Sequence, residues 1–207
     1  MSWKIAALAS ATAGAAVGGI FLATQIMAPS NVLAQCIGSS VAGGDIGGPF
    51  TLVSETGETV TQDDVITGPT LVYFGYTFCP DVCPMDTDRM ALAMEILDEQ
   101  DKGIDALFVS IDPLRDTPEY LAEFTDYFHP RLTGLSGTEA QVKAAADAYR
   151  VFYRKVDTDE EDFYLMDHST LTYLMTPGEG FVTFFRRDLT PEAMAEQVGC
   201  VVDAVSV

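Results

Sequence analysis

TLVYFGYTFCPDVCP, Thr70 to Pro84, is the stretch on which the fold turns. Its first six residues are apolar or β-favouring without alternation, the pattern of a strand covered on both faces. The end of the stretch holds two cysteines, Cys79 and Cys83, separated by three residues, with a proline after each. Beyond it the period changes to that of a helix. Pro84 suits the first helical position, and apolar residues recur at Met90, Leu92, Ala93, Ile96 and Leu97. A cysteine pair therefore sits in the turn between a buried strand and a helix.

Working outward, Phe50 to Val60 reads as a hairpin turning near Thr56-Gly57. Downstream, Ile104–Asp112 is a strand, and Thr117-Pro118-Glu119 supplies cap, first-turn proline and first-turn acid for a helix to Phe128. Leu132–Leu135 is a short strand and Thr138–Phe152 an Ala-rich helix. An acidic loop, Asp157 to Asp162, precedes strands near Thr170–Met175 and Phe181–Phe185. Thr190-Pro191-Glu192 opens the last helix. Such alternation means α/β, with a central sheet covered on both faces. The position of the cysteine pair within it points to a thioredoxin-like domain.

The N-terminus has a different character. Lys4 is the only charge before Asp45, and residues 5–28 are apolar or small. About 20 helical residues cross a hydrocarbon core, whereas a cleaved signal has an apolar stretch of about 7–15. The expectation is one transmembrane helix within residues 1–30, a Pro/Gly/Ser-rich linker over 31–48, and the thioredoxin-like domain over 49–207. Lys4 on so short a leader keeps the N-terminus in the cytoplasm, so the domain faces the periplasm or an equivalent oxidising space. The inner membrane is then the expected location, with a single pass. In that compartment Cys36 and Cys200, near the two ends of the domain, are expected to form a structural disulfide. Lipid modification of Cys36 fits less well, because Gln35 is not a small residue. The net charge of −20 excludes nucleic acid as a partner and otherwise speaks to solubility.

The spacing of the motif, C-x3-C, is one residue longer than the C-x2-C of redox thioredoxins. The wider loop still lets both sulfurs converge at a helix start, where the positive end of the dipole favours thiolate. Thiolate is both a metal ligand and a nucleophile. Two thiolates suit a soft ion, Cu(I) best of all, and leave room for a third donor. The chain has two histidines. His168 directly precedes a strand whose entry loop should face the cysteines, so it is the expected third ligand. His129 ends a helix and is expected to be structural. Met90 and Met94 share a helix face and read as core. Asp81 and Asp167 flank ligands without being expected to coordinate.

Four segments together resemble the Sco/SenC family: GYTFCPDVCP (75–84), SIDPLRDTP (110–118), YRVFY (149–153) and DHS (167–169). The resemblance spans about residues 48–205. It implies a thioredoxin-like domain on one N-terminal transmembrane helix, with copper held by Cys79, Cys83 and His168. Cu(I) is favoured and Cu(II) admitted. It further implies a role in building the CuA centre of cytochrome c oxidase, with the CuA-bearing subunit and an upstream copper donor as partners. Where the family often has aspartate before proline after the histidine strand, this chain has Met175-Thr176-Pro177. The Cys36 and Cys200 pair is outside the family's core. The competing reading is a thiol–disulfide oxidoreductase that reduces the CuA-site cysteines and passes through a Cys79–Cys83 disulfide. A peroxidase would need threonine and arginine around a single reactive cysteine, a setting the sequence lacks.

Overall fold

The computed structural model describes residues 32–37, 46–156 and 164–205. The apolar segment 5–28 and the acidic loop 157–162 lie outside them. Among the described residues, no helix is long and apolar enough to cross a membrane.

A seven-stranded mixed sheet forms the centre. Its strands are β1 (Thr51–Ser54), β2 (Thr59–Thr61), β3 (Thr70–Gly75), β4 (Asp105–Ser110), β5 (Leu132–Ser136), β8 (Thr172–Thr176) and β9 (Gly180–Phe185), in the order β2-β1-β5-β4-β3-β8-β9. β3, β4 and β5 are parallel, and β8 runs antiparallel to β3. Every residue of β3 and of β8 is buried, as is all of β4 after Asp105. Strands without an exposed face must be covered on both sides. The covering helices are α3 (Val82–Asp98), α4 (Pro118–Phe128), α5 (Glu139–Ala148) and α6 (Pro191–Val205), with the short α1 (Val32–Cys36) and α2 (Gln62–Val65) nearer the start. Gly75 ends β3 where a side chain would not fit: a Cβ there would stand 2.8 Å from the Tyr73 ring and 3.0 Å from Phe108.

Several boundaries differ from the sequence reading, each for a local reason. α3 begins at Val82, so Pro84 is its third residue and not its first. This is tolerated because the first four N–H groups of a helix have no partner inside it. α5 stops at Ala148 instead of Phe152, because Tyr149 turns into the core and Arg150 takes the left-handed conformation, φ 56°. The stretch read as linker contains the helical turn of α1. Two strands were not expected at all: β6 (Tyr153–Val156) and β7 (Leu165–His168) form an antiparallel ribbon apart from the main sheet. Their exposed and half-buried residues give no strong alternation to read. The capping signals hold where the sequence places them. Thr117 Oγ1 accepts from the Tyr120 N–H, and Thr138 and Gln141 form a reciprocal capping box.

Cys36 and Cys200 are bonded, their Cα atoms 5.4 Å apart, joining α1 to α6 across 164 residues of chain. A loop of that length restricts the unfolded chain by up to about 5 kcal/mol on the chain-entropy estimate. Replacing both cysteines by serine should therefore lower the urea midpoint while leaving the circular dichroism spectrum native. An unchanged midpoint would show that the bridge carries no stability.

Candidate metal centre

β3 delivers the cysteine loop at its C-terminal end, where open α/β sheets place their ligands. Cys83 is the second residue of α3, so its backbone N–H is one of the helix's orphan donors. It donates to Cys79 Sγ at 3.3 Å. Both thiols are free and buried, Cys83 at 0% exposure and Cys79 at 9%. The two respond to this setting in opposite ways. Cys79 is pulled well below the ordinary thiol range, chiefly by the Cys83 thiol hydrogen-bonding to its sulfur, with the backbone N–H groups of Asp81 and Cys83 adding to the effect against burial. Cys83 is pushed up by burial and by the negative charge on Cys79. One proton thus serves two sulfurs and sits on Cys83.

The third member arrives through strand register. Thr172, the first residue of β8, pairs with Tyr73 near the end of β3. The chain just before β8 therefore lies over the cysteine loop, and His168 ends the β7 strand there. His168 Nε2 is 3.4 Å from Cys83 Sγ. Its Nδ1 lies 2.8 Å from the Ser169 carbonyl oxygen. A carbonyl can only accept, so Nδ1 carries the proton and Nε2 presents a lone pair to the sulfurs. The Tyr73 and Tyr76 rings meet the imidazole edge-on at 6.1 and 6.0 Å and fix its plane. The ligand atoms of Cys79, Cys83 and His168 all lie within 4.8 Å of one another. Two sulfurs and one imidazole nitrogen with a single thiol proton among them form a donor set that a soft cation satisfies.

The frame around these three was not assigned roles from the sequence. Asp116, 1% exposed, accepts from the Thr77 N–H at 3.2 Å, the Thr77 hydroxyl at 2.7 Å and the Ser110 hydroxyl at 2.6 Å. It thereby pins the backbone two residues before Cys79, although burial pushes its own carboxyl up. Asp112 accepts from Arg115 Nε at 2.5 Å and from the Tyr164 hydroxyl at 2.7 Å. The Arg115 guanidinium lies 3.5 Å over the Tyr164 ring and donates to the Tyr164 carbonyl. Tyr76, whose hydroxyl is pushed up to about 12 mainly by burial, accepts from the Met166 N–H at 3.2 Å. These contacts hold the β6–β7 ribbon, and with it His168, against the loops carrying the cysteines. The one available signal was the crowding of Ser110, Asp112, Arg115 and Asp116 at the end of a buried strand.

The other candidates separate from the centre. His129 caps the C-terminus of α4, is buried, and has Nε2 3.3 Å from Asp98 while Nδ1 accepts from the Arg131 N–H. Met90 and Met94 are fully buried core, whereas Met85 is exposed. Asp167 pairs with Arg154 at 2.8 Å, and Asp81 is exposed.

A family model described as SCO1/SenC matches residues 39–203. Protein SenC of Rhodobacter capsulatus is 49% identical over 207 residues, covering 99% of this chain and 93% of its own. The crystal structure of Arabidopsis thaliana ScoI with copper bound superposes with a TM-score of 0.71 at 36% identity, covering 78% of this chain and 98% of that one. A further solved structure, that of BsSco, is described as revealing a disulfide switch in a member of the Sco family of cytochrome c oxidase assembly proteins. It shares the fold at a TM-score of 0.60 and 21% identity, covering 78% of this chain and 93% of that one.

The thiol asymmetry has a direct chemical readout. Iodoacetamide should modify Cys79 before Cys83, at a rate nearly constant between about pH 5 and 8, because the thiolate is already formed. Peptide mass mapping against time distinguishes the two. First reaction at Cys83, or a rate that climbs through the ordinary thiol range near about 8.5, would refute the assignment.

Proposed function

This chain belongs to the SCO1/SenC family, and from that premise we propose that it is a membrane-anchored copper carrier serving assembly of the CuA centre of cytochrome c oxidase. The observation that carries the reading is the convergence of Cys79, Cys83 and the lone-pair nitrogen of His168 within 4.8 Å, beneath a frame that fixes all three. Cu(I) is the cargo this set suits best, since thiolates are soft and imidazole is borderline. The copper bound in the plant relative supports copper as the cargo. Cys79 and Cys83 would supply the thiolates, and His168 would close the third position.

An upstream donor supplies the ion and the CuA-bearing subunit receives it. The 24-residue apolar segment 5–28 supports an inner-membrane anchor, with the N-terminus cytoplasmic and the domain in the periplasm. A second reading, reduction of the CuA-site cysteines, is favoured by one observation. Cys79 is a ready thiolate beside a resolving thiol, so it can attack a disulfide and then close to Cys79–Cys83. Copper binding and that disulfide exclude each other, because an oxidised pair has no thiolate to donate.

The reduced chain should take one equivalent of Cu(I). At neutral pH one proton, that of Cys83, should leave per ion, so affinity should rise about tenfold per pH unit. His168→Ala should weaken binding by at least about tenfold while leaving thiol exchange intact, taking the effect of losing a ligand's support as the lower bound. Cys79→Ser or Cys83→Ser should nearly abolish binding. Competition titration with a Cu(I) chelator at several pH values measures all of this. Parental affinity in His168→Ala would remove the third ligand, and a slope of two protons would refute the preformed thiolate.

A further inference from the structure

Asp86 stands three residues after Cys83 on α3, so the two share a helix face. Its buried carboxylate accepts from the Tyr73 hydroxyl at 3.0 Å and from Arg187 Nε at 3.1 Å, and lies 3.4 Å from Arg89 Nη1. The Tyr73 ring also meets the His168 imidazole edge-on, so one fully buried side chain spans from the candidate centre to this carboxylate. Two arginines thus share one acid. Among the described residues, no other carboxylate lies within 4.0 Å of either guanidinium. The Arg89 side chain is only 9% exposed, and its Nε and Nη2 are buried without a hydrogen-bond partner. One carboxylate against two guanidinium groups leaves the cluster a net charge of +1. A buried charge costs free energy unless an opposite charge compensates it.

We propose that Asp86, Arg89 and Arg187 form a charge-setting cluster behind the centre, whose net positive charge makes the site select a monovalent soft ion over a divalent one. The inference rests on the copper reading and adds to it the residues that decide the ion's valence. Two thiolates and Cu(I) sum to −1, which the cluster neutralises. The same thiolates with a divalent ion sum to zero and leave the cluster uncompensated. Softness alone does not make this choice, because Zn(II) also takes thiolates and imidazole. Arg89 is six residues beyond Cys83 on α3, about 9 Å of helix rise. At about 9 Å and an effective dielectric constant of about 20, one unit charge separates the two valences by about twentyfold in affinity.

The test uses the full chain in nanodiscs, reduced and kept from oxygen, with Cu(I) and Zn(II) as probes. Zn(II) is divalent and has no redox chemistry with which to oxidise the thiols. Chelator competition gives each affinity, and the readout is the ratio of Cu(I) to Zn(II) affinity. Arg89→Met removes one positive charge and should shift the ratio about twentyfold toward Zn(II). Arg187→Met should shift it the same way but less, because that side chain is 40% exposed and screened by solvent. Asp86→Asn keeps an acceptor for Tyr73 and raises the cluster to +2, so the ratio should move toward Cu(I). Damage to packing would lower both affinities together and cannot shift the ratio in opposite directions. Ratios within about threefold of the parent's in both arginine variants, or a shift of Asp86→Asn in the same direction as theirs, would overturn the cluster and leave copper binding standing. A parent that takes up Zn(II) but no Cu(I) would overturn the copper reading and the valence selection together.

Discussion

The pairing of Thr172 with Tyr73 is the constraint on which the rest depends. β3 and β8 are central strands with no exposed residue, so neither can slip by one position without turning its buried side chains over. Their antiparallel sense brings the start of β8 beside the end of β3. The cysteine loop leaves from one and the histidine segment enters at the other. Two donors at positions 79 and 83 and one at 168 meet because the sheet has a single register.

The polar frame follows from that meeting. The ends of β3 and β4 lie side by side, Gly75 opposite Ser110, so the loop after β4 sits against the cysteine loop. Backbone groups buried there need partners. Asp116 supplies them to Thr77, and Asp112 with Arg115 binds the β6–β7 ribbon through Tyr164. Stability and placement of the donors are thus carried by the same side chains. A loop free to wander would neither hold two sulfurs at a helix start nor keep an imidazole lone pair aimed at them.

The sulfur chemistry shows the same economy of means. An orphan helix N–H and a neighbouring thiol proton stabilise charge on Cys79, while the same burial holds the proton on Cys83. The pair is therefore poised for either of two events, metal capture or attack on a disulfide, and both draw on the same thiolate. His168 leans toward the first, because exchange between sulfurs has no use for a nitrogen ligand. Its tautomer is set by a backbone carbonyl, so its availability does not depend on a neighbouring acid.

Local patterns carried much of this in the sequence alone. The unalternating apolar run of Thr70–Gly75, the Thr-Pro-Glu helix starts and the C-x3-C spacing are short-range signals, since each depends on neighbours within a few residues. They were enough for the α/β alternation, the buried strand, the helix after the cysteines and the three candidate donors. The β6–β7 ribbon escaped notice because its residues face neither wholly inward nor wholly outward, and Arg150 ended a helix whose composition would have continued it. The roles of Asp112, Arg115, Asp116 and Tyr76 were likewise hidden, because the contacts that tie them to the cysteine loop and the β6–β7 ribbon span 39 to 90 residues and no local period records such a distance. Sequence determined which chemistry this chain holds, since side-chain type decides softness, charge and helix or strand preference. Tertiary structure alone decided that Cys79 and not Cys83 carries the charge and that His168 offers Nε2, because both follow from burial and from hydrogen bonds that exist only once the strands have paired.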